Sequence, residues 1–149
     1  MKTDRVIPDE LKDKIKILVV EDNLMSRKLA AFVLKNWGYK YDECTNGKQA
    51  LENIKLDKYD LILMDIQMPE MDGYETTRYI RKKLELGLPI IAMTSHSDPG
   101  ERERCLSAGM NDYIAKPIKE EELYNIITNY LFTTVVLNPE NKTQKNSPL

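Results

Sequence analysis

Three carboxylates, a hydroxyl and an ammonium each stand at the end of a short apolar run in this chain. Glu21 and Asp22 follow KILVV (16–20), Asp65 follows DLILM (60–64), Thr94 follows PIIAM (89–93) and Lys116 follows DYIA (112–115). Taken singly, each has an ordinary explanation, since a lone aspartate at a strand end is commonly a helix cap or a solvated loop residue. Together they imply a site. Two carboxylates about 4 Å apart repel by about 4 kcal/mol at an effective dielectric of about 20. A third cannot sit beside them unless protons or a cation neutralise the cluster. Oxygen ligands without His or Cys select a hard cation, and an open site of few carboxylates suits Mg²⁺ better than a caged Ca²⁺.

For these groups to meet, their runs must be neighbouring strands of one sheet. KILVV and DLILM are apolar almost throughout, as strands covered on both faces are. Between them lies a helical period, with Leu29, Ala30, Val33, Leu34 and Trp37 on one face and Gly38 as its stop. A second, more exposed strand is expected over 39–44, a turn at Asn46-Gly47, and a short helix carrying Ala50, Leu51 and Ile54. A loop (66–73) then leads to a helix ending near Leu84. Pro69 and Gly73 in that loop are accounted for by turn geometry. Asp98 and Pro99 read as N-cap and N1 of a helix that stops at Gly109, and a final helix runs over about 119–132 with Leu123, Ile126, Ile127, Tyr130 and Leu131 on its apolar side. Five strands alternating with five helices give an α/β fold, a parallel sheet covered on both faces. Ligands of such sheets bind beyond the carboxyl ends of the strands, which is where the five polar groups stand.

Length and composition agree with one domain. The chain has 149 residues, 42% hydrophobic and 31% charged, which excludes wholesale disorder. Lys+Arg total 22 against Asp+Glu 24, a net charge of −2 that argues against gripping nucleic acid or an anionic membrane. No apolar run approaches the roughly 20 residues of a membrane span, and the first residues lack the apolar stretch of a signal peptide. Cys44 and Cys105 have no metal or redox spacing and read as buried free thiols. A reducing, cytoplasmic setting is the expectation. Residues 1–14 read as a polar, loosely attached arm or linker, 15–132 as the domain, and 133–149 as a polar tail, disordered from about Asn138.

The stretches ILVVEDN (17–23), LILMDIQMPEMDGYETTRYIR (61–81), PIIAMTS (89–95) and GMNDYIAKPI (109–118) resemble the receiver domain of two-component response regulators. The resemblance covers about 15–132. It implies a doubly wound, flavodoxin-like sheet of strand order 2-1-3-4-5. It implies that Asp65 accepts a phosphoryl group, that Glu21, Asp22, Asp65 and the backbone carbonyl of Gln67 hold Mg²⁺, and that Lys116 pairs with phosphoryl oxygens. Thr94 and Tyr113 match the switch residues, and the fourth helix, fifth strand and fifth helix form the output face, a candidate homodimer contact. Gln67 and His96 flank the phosphoryl group as candidates for tuning its hydrolysis, although His96 also reads as an ordinary exposed loop residue. Lys116-Pro117 matches the family's cis peptide. The implied partner is a histidine kinase or histidine phosphotransfer domain. GMNDYIAKPI is more similar to receivers fused to hybrid sensor kinases than to those of DNA-binding regulators, so the charged first 14 residues read as a linker remnant, with a free-standing receiver as the alternative.

Two other functions compete. A Mg²⁺-dependent phosphohydrolase with an aspartyl nucleophile needs an acidic partner two residues beyond it, where this chain has Gln67. A degenerate docking module has no use for the full set of Glu21, Asp22, Asp65, Thr94 and Lys116.

Overall fold

The computed structural model describes residues 5–96 and 98–138. In chain order its elements are α1 (Asp9–Lys12), β1 (Lys16–Val20), α2 (Leu24–Asn36), β2 (Lys40–Cys44), α3 (Gly47–Leu56), β3 (Leu61–Asp65), α4 (Gly73–Lys82), β4 (Ile90–Thr94), α5 (Glu101–Ala108), β5 (Asp112–Ala115) and α6 (Glu120–Leu131), closed by a π-helical turn, Phe132–Val136. The five strands form one sheet in the order β2-β1-β3-β4-β5. All pairings are parallel, with Val20 beside Cys44 and Met64, and Asp65 beside Met93.

Side chains alternate across this sheet because successive strand residues point to opposite faces. Ile17, Val19, Leu61, Leu63, Ile91 and Met93 join the core under α2 and α6. Leu18, Val20, Ile62, Met64, Ile90 and Ala92 join the core under α3 and α4. β2 is the partly exposed edge the sequence implies.

The helix starts and stops follow local chemistry. Asn23 and Asn46 cap α2 and α3 by accepting from Ser26 N and Gln49 N, so the Asn46-Gly47 pair opens a helix where a turn is expected. Asp72 and Glu75 form a reciprocal capping box on α4. Gly109 ends α5 at φ 106°, a left-handed conformation that glycine adopts without a Cβ clash. Two expectations need correction. α5 begins at Glu101 rather than at Pro99, because Asp98, Pro99 and Gly100 form a turn in which Asp98 O accepts from Glu101 N. Leu29 is 45% exposed, so the buried stripe of α2 is Ala30, Ala31, Val33 and Leu34.

The described segments that flank the sheet also differ from expectation. α1 is a sixth helix, and Ile7 before it is 2% exposed, packed in the same core as Tyr39, Leu131 and Val135. Arg5 lies over the Phe132 ring, 5.2 Å from its centroid, and Lys12 over Tyr39 at 5.5 Å. The arm is therefore anchored by one buried side chain, and the helical rod passes residue 132 to end at Val136. The expected tail beyond 138 lies outside the described residues. Truncating a buried isoleucine costs about 2–4 kcal/mol, so Ile7→Ala is expected to lower the urea midpoint clearly. An unchanged midpoint would show that the arm adds nothing to the fold.

Both cysteines are free and buried, and burial pushes both thiols up to about 12. No helix among the described residues is long and apolar enough to cross a membrane.

Candidate functional site

β1 and β3 lie side by side and in register, so Glu21 and Asp22 just beyond β1 and Asp65 at the end of β3 come to one spot. One carboxylate oxygen from each lies within 4.8 Å of the others. Glu21 and Asp65 are buried at 0% and 2% exposure, whereas Asp22 is exposed at the rim. Lys116, carried beyond β5, reaches across with its Nζ 2.7 Å from Glu21 Oε1 and 3.1 Å from Asp65 Oδ1. The peptide bond that follows it, Lys116-Pro117, is cis.

The backbone holds these carboxylates in place. Glu21 Oε2 accepts from Asn23 N at 3.0 Å, and the Glu21 carbonyl accepts from Arg27 Nη1 at 3.0 Å. Asp65 Oδ1 also accepts from Gln67 N at 3.3 Å. Gly73 explains itself here, and not by turn geometry. A Cβ at this position would sit 2.3 Å from the Asp65 carbonyl oxygen, so the missing side chain is what lets α4 start against the site.

The electrostatics are those of crowded negative charge. Burial, then hydrogen bonding and charge from Glu21, then Asp22, raise the Asp65 carboxyl to about 7, with Lys116 pulling the other way. For Lys116, burial opposes its charge, but Glu21 and Asp65 outweigh that and hold its pKa above the ordinary lysine value. Glu21 Oε1 is fully buried, and the Lys116 ammonium 2.7 Å away is its close partner. A hard divalent cation fits this donor set of oxygens alone, because three carboxylates within 4.8 Å carry more negative charge than the single Lys116 ammonium offsets.

The remaining candidates surround the cluster. Thr94 ends β4 fully buried, and its Oγ1 accepts from His96 N at 3.0 Å. Tyr113 on β5 is half-buried against the core of the α4 side. Gln67 and His96 are both exposed and meet, Gln67 Nε2 lying 2.9 Å from His96 Nδ1. Sequence reading missed Glu101, a fully buried carboxylate on α5. Its signal was present, because Glu101, Cys105 and Ala108 share the helical spacing of an inward face.

Comparison with known proteins gives a consistent picture. A family model described as the response regulator receiver domain matches residues 17–128. The Escherichia coli signal transduction histidine-protein kinase BarA is 41% identical over 125 residues, covering 83% of this chain and 14% of that kinase. The autoinducer 2 sensor kinase/phosphatase LuxQ of Vibrio vulnificus is 44% identical over 120 residues, covering 78% of this chain and 14% of LuxQ. The chain thus spans about one seventh of these relatives. Among solved structures, the receiver domain of a Pseudomonas aeruginosa sensor histidine kinase is 40% identical with a TM-score of 0.70, covering 78% of this chain and 97% of that domain. It was crystallised with a magnesium ion coordinated in the active site cleft. The Vibrio cholerae chemotaxis protein CheY4 has a TM-score of 0.74 at 25% identity, covering 78% of this chain and 98% of that protein.

Proposed function

Since the chain belongs to the response regulator receiver domain family, the phosphoacceptor switches of two-component systems, we propose that Asp65 is its phosphorylation site and Glu21, Asp22 and Lys116 its charge-handling groups. The observation that carries this reading is the trio of carboxylates within 4.8 Å at the carboxyl edge of the sheet, two of them, Glu21 and Asp65, bridged by Lys116.

Asp65 attacks the phosphorus of a phosphohistidine. An O–P bond forms as the N–P bond breaks, and the electron pair leaves with the imidazole, which takes up a proton. Glu21, Asp22, Asp65 and the Gln67 carbonyl hold Mg²⁺, whose contribution when bound is positive charge against the phosphoryl oxygens. Lys116 supplies a second cation that is in place before the reaction, so little reorganisation is needed as charge spreads over those oxygens. Water then attacks phosphorus and releases inorganic phosphate, returning the carboxylate. Gln67 and His96, hydrogen-bonded to each other beside Asp65, tune that step. The chain is in this reading a switch that assists its own phosphorylation and dephosphorylation, not an enzyme turning over external substrates.

The new charge draws the Thr94 hydroxyl inward, away from His96 N, and Tyr113 follows into the space released. The affected surface is α5, β5 and α6, which corresponds to the fourth helix, fifth strand and fifth helix of the sequence reading. It is the candidate output and homodimer face. The donor is a histidine kinase or phosphotransfer domain, and it docks on α2. That helix starts beside Asp22 and exposes Leu24, Met25, Leu29 and Phe32, an apolar patch at the rim of the site.

The test is incubation with acetyl phosphate and Mg²⁺ followed by intact-mass measurement and peptide mapping. One phosphoryl adduct on Asp65, absent when EDTA replaces Mg²⁺ from the start, is expected. No adduct, or an adduct elsewhere, overturns the assignment.

A further inference from the structure

α5 is the shortest of the helices α2 to α6. It has eight residues and no side-chain cap, and its inward face is Glu101, Cys105 and Ala108. By contrast α4 has a capping box and buries Ile80, and α6 buries Leu123, Ile127 and Leu131. A thiol and a methyl group bury little apolar surface. The first turn of α5 is held instead by polar bonds. Glu101, 1% exposed, accepts at Oε2 from Tyr74 Oη of α4 at 3.0 Å and from the Cys105 thiol at 3.7 Å. Its Oε1 pairs with Arg104 at 2.5 Å, and Arg104 also reaches Asp98 at 2.9 Å.

This brace faces a cavity of about 500 Å³ lined by Gln67, Asp72, Tyr74, His96, Glu101 and Arg104. Two polar clasps join its walls, Gln67 to His96 and Tyr74 to Glu101. Both tie the side that carries α4 to the residues that lead from Thr94 into α5. Thr94 is joined to the same residues by its bond from His96 N. The cavity lies beside His96 and the first turn of α5, and the clasps hold its two walls together.

We propose that Glu101, held by Tyr74 and Arg104, is a positioning residue that biases the approach to α5 toward its unphosphorylated arrangement and thereby sets how readily Asp65 is phosphorylated. The proposal rests on the phosphoacceptor reading. In that reading, a Thr94 hydroxyl drawn inward pulls on the bond it accepts from His96 N, and through it on the residues that lead into α5. A brace present in only one of the two arrangements lowers the population of the competent one, and apparent affinity falls by the same fraction.

The test is Tyr74→Phe, which deletes one hydroxyl from a half-buried ring. Titration with beryllofluoride and Mg²⁺, followed by calorimetry, is expected to show apparent affinity tighter by about 3- to 10-fold. The initial rate of labelling by acetyl phosphate should rise in parallel. Glu101→Gln, which keeps the shape and removes the charge, should move both readouts in the same direction. Tyr59→Phe is the comparison. It removes a hydroxyl bond to Asp42 of 2.6 Å at the amino-terminal side of the sheet, and should lower the melting temperature without changing affinity. If wild type binds the mimic and Tyr74→Phe binds it equally or more weakly, the brace is refuted. If wild type binds no mimic, the phosphoacceptor reading fails and the proposal fails with it.

Discussion

Asp65→Asn is expected to abolish the phosphoryl adduct and, in the metal-free protein, to raise the melting temperature. Loss of a covalent nucleophile removes the reaction itself, so labelling should fall by at least about 10³-fold. The stability gain follows from the charge crowding. The folded-state Asp65 carboxyl stands at about 7, raised by burial first and then by Glu21 and Asp22. A group whose folded pKa lies above its unfolded value binds protons more tightly in the native state. Its contribution is therefore fully present below about pH 4 and is lost as pH rises through about 7. Asparagine keeps the shape and never acquires the charge. The gain over wild type should be small near pH 4, grow through pH 5 to 7, and reach about 5–10 °C near pH 8 in EDTA. Thermal melts at these pH values check the sign. A variant that melts below wild type at pH 8 would show that Lys116 compensates the cluster fully.

Lys116→Ala carries the second large effect, with the opposite sign for stability. Its ammonium faces two buried carboxylates at 2.7 and 3.1 Å, and removing one partner of a buried ion pair costs about 3–5 kcal/mol. Protonation of Asp65 softens that loss, so the destabilisation should be larger near pH 8 than near pH 5, and Mg²⁺ should reverse much of it. Labelling by acetyl phosphate should slow by about 10²–10³-fold even in saturating Mg²⁺, the usual cost of deleting a positioned donor to developing negative charge. Time courses by intact mass decide this. A rate within about threefold of wild type would remove Lys116 from the chemistry.

The fold was legible because its signals are local. Apolar runs bounded by acidic or turn residues mark buried strands, and Gly38 and Gly109, at φ 90° and 106°, end their helices as glycine does. Where two local signals compete, reading fails. Asn46-Gly47 has the composition of a turn, yet Asn46 accepts from Gln49 N and opens α3. Asp98-Pro99 has the composition of a helix start, yet the chain turns once more before α5. Ile7 sits in a Val6-Ile7-Pro8 run too short to show a period, whereas Val135 continues the i, i+4 row of Leu123, Ile127 and Leu131 beyond the expected end of the last helix. Both are buried because the segments before β1 and after α6 meet over the core of α2 and α6.

The sequence by itself determined which chemistry was available: three carboxylates, a lysine and a hydroxyl, each at a strand end. Residue type and spacing decide that much, because strand ends in a parallel sheet share an edge. Tertiary structure decided what local spacing does not encode. It brought Gln67 to His96, 29 positions apart, and Tyr74 to Glu101, 27 positions apart. It also gave Gly73 its reason, which is the close approach of the Asp65 carbonyl. Each of these is a contact between segments that meet only after the sheet has formed, and the energy of such a contact depends on burial and distance rather than on the residues alone.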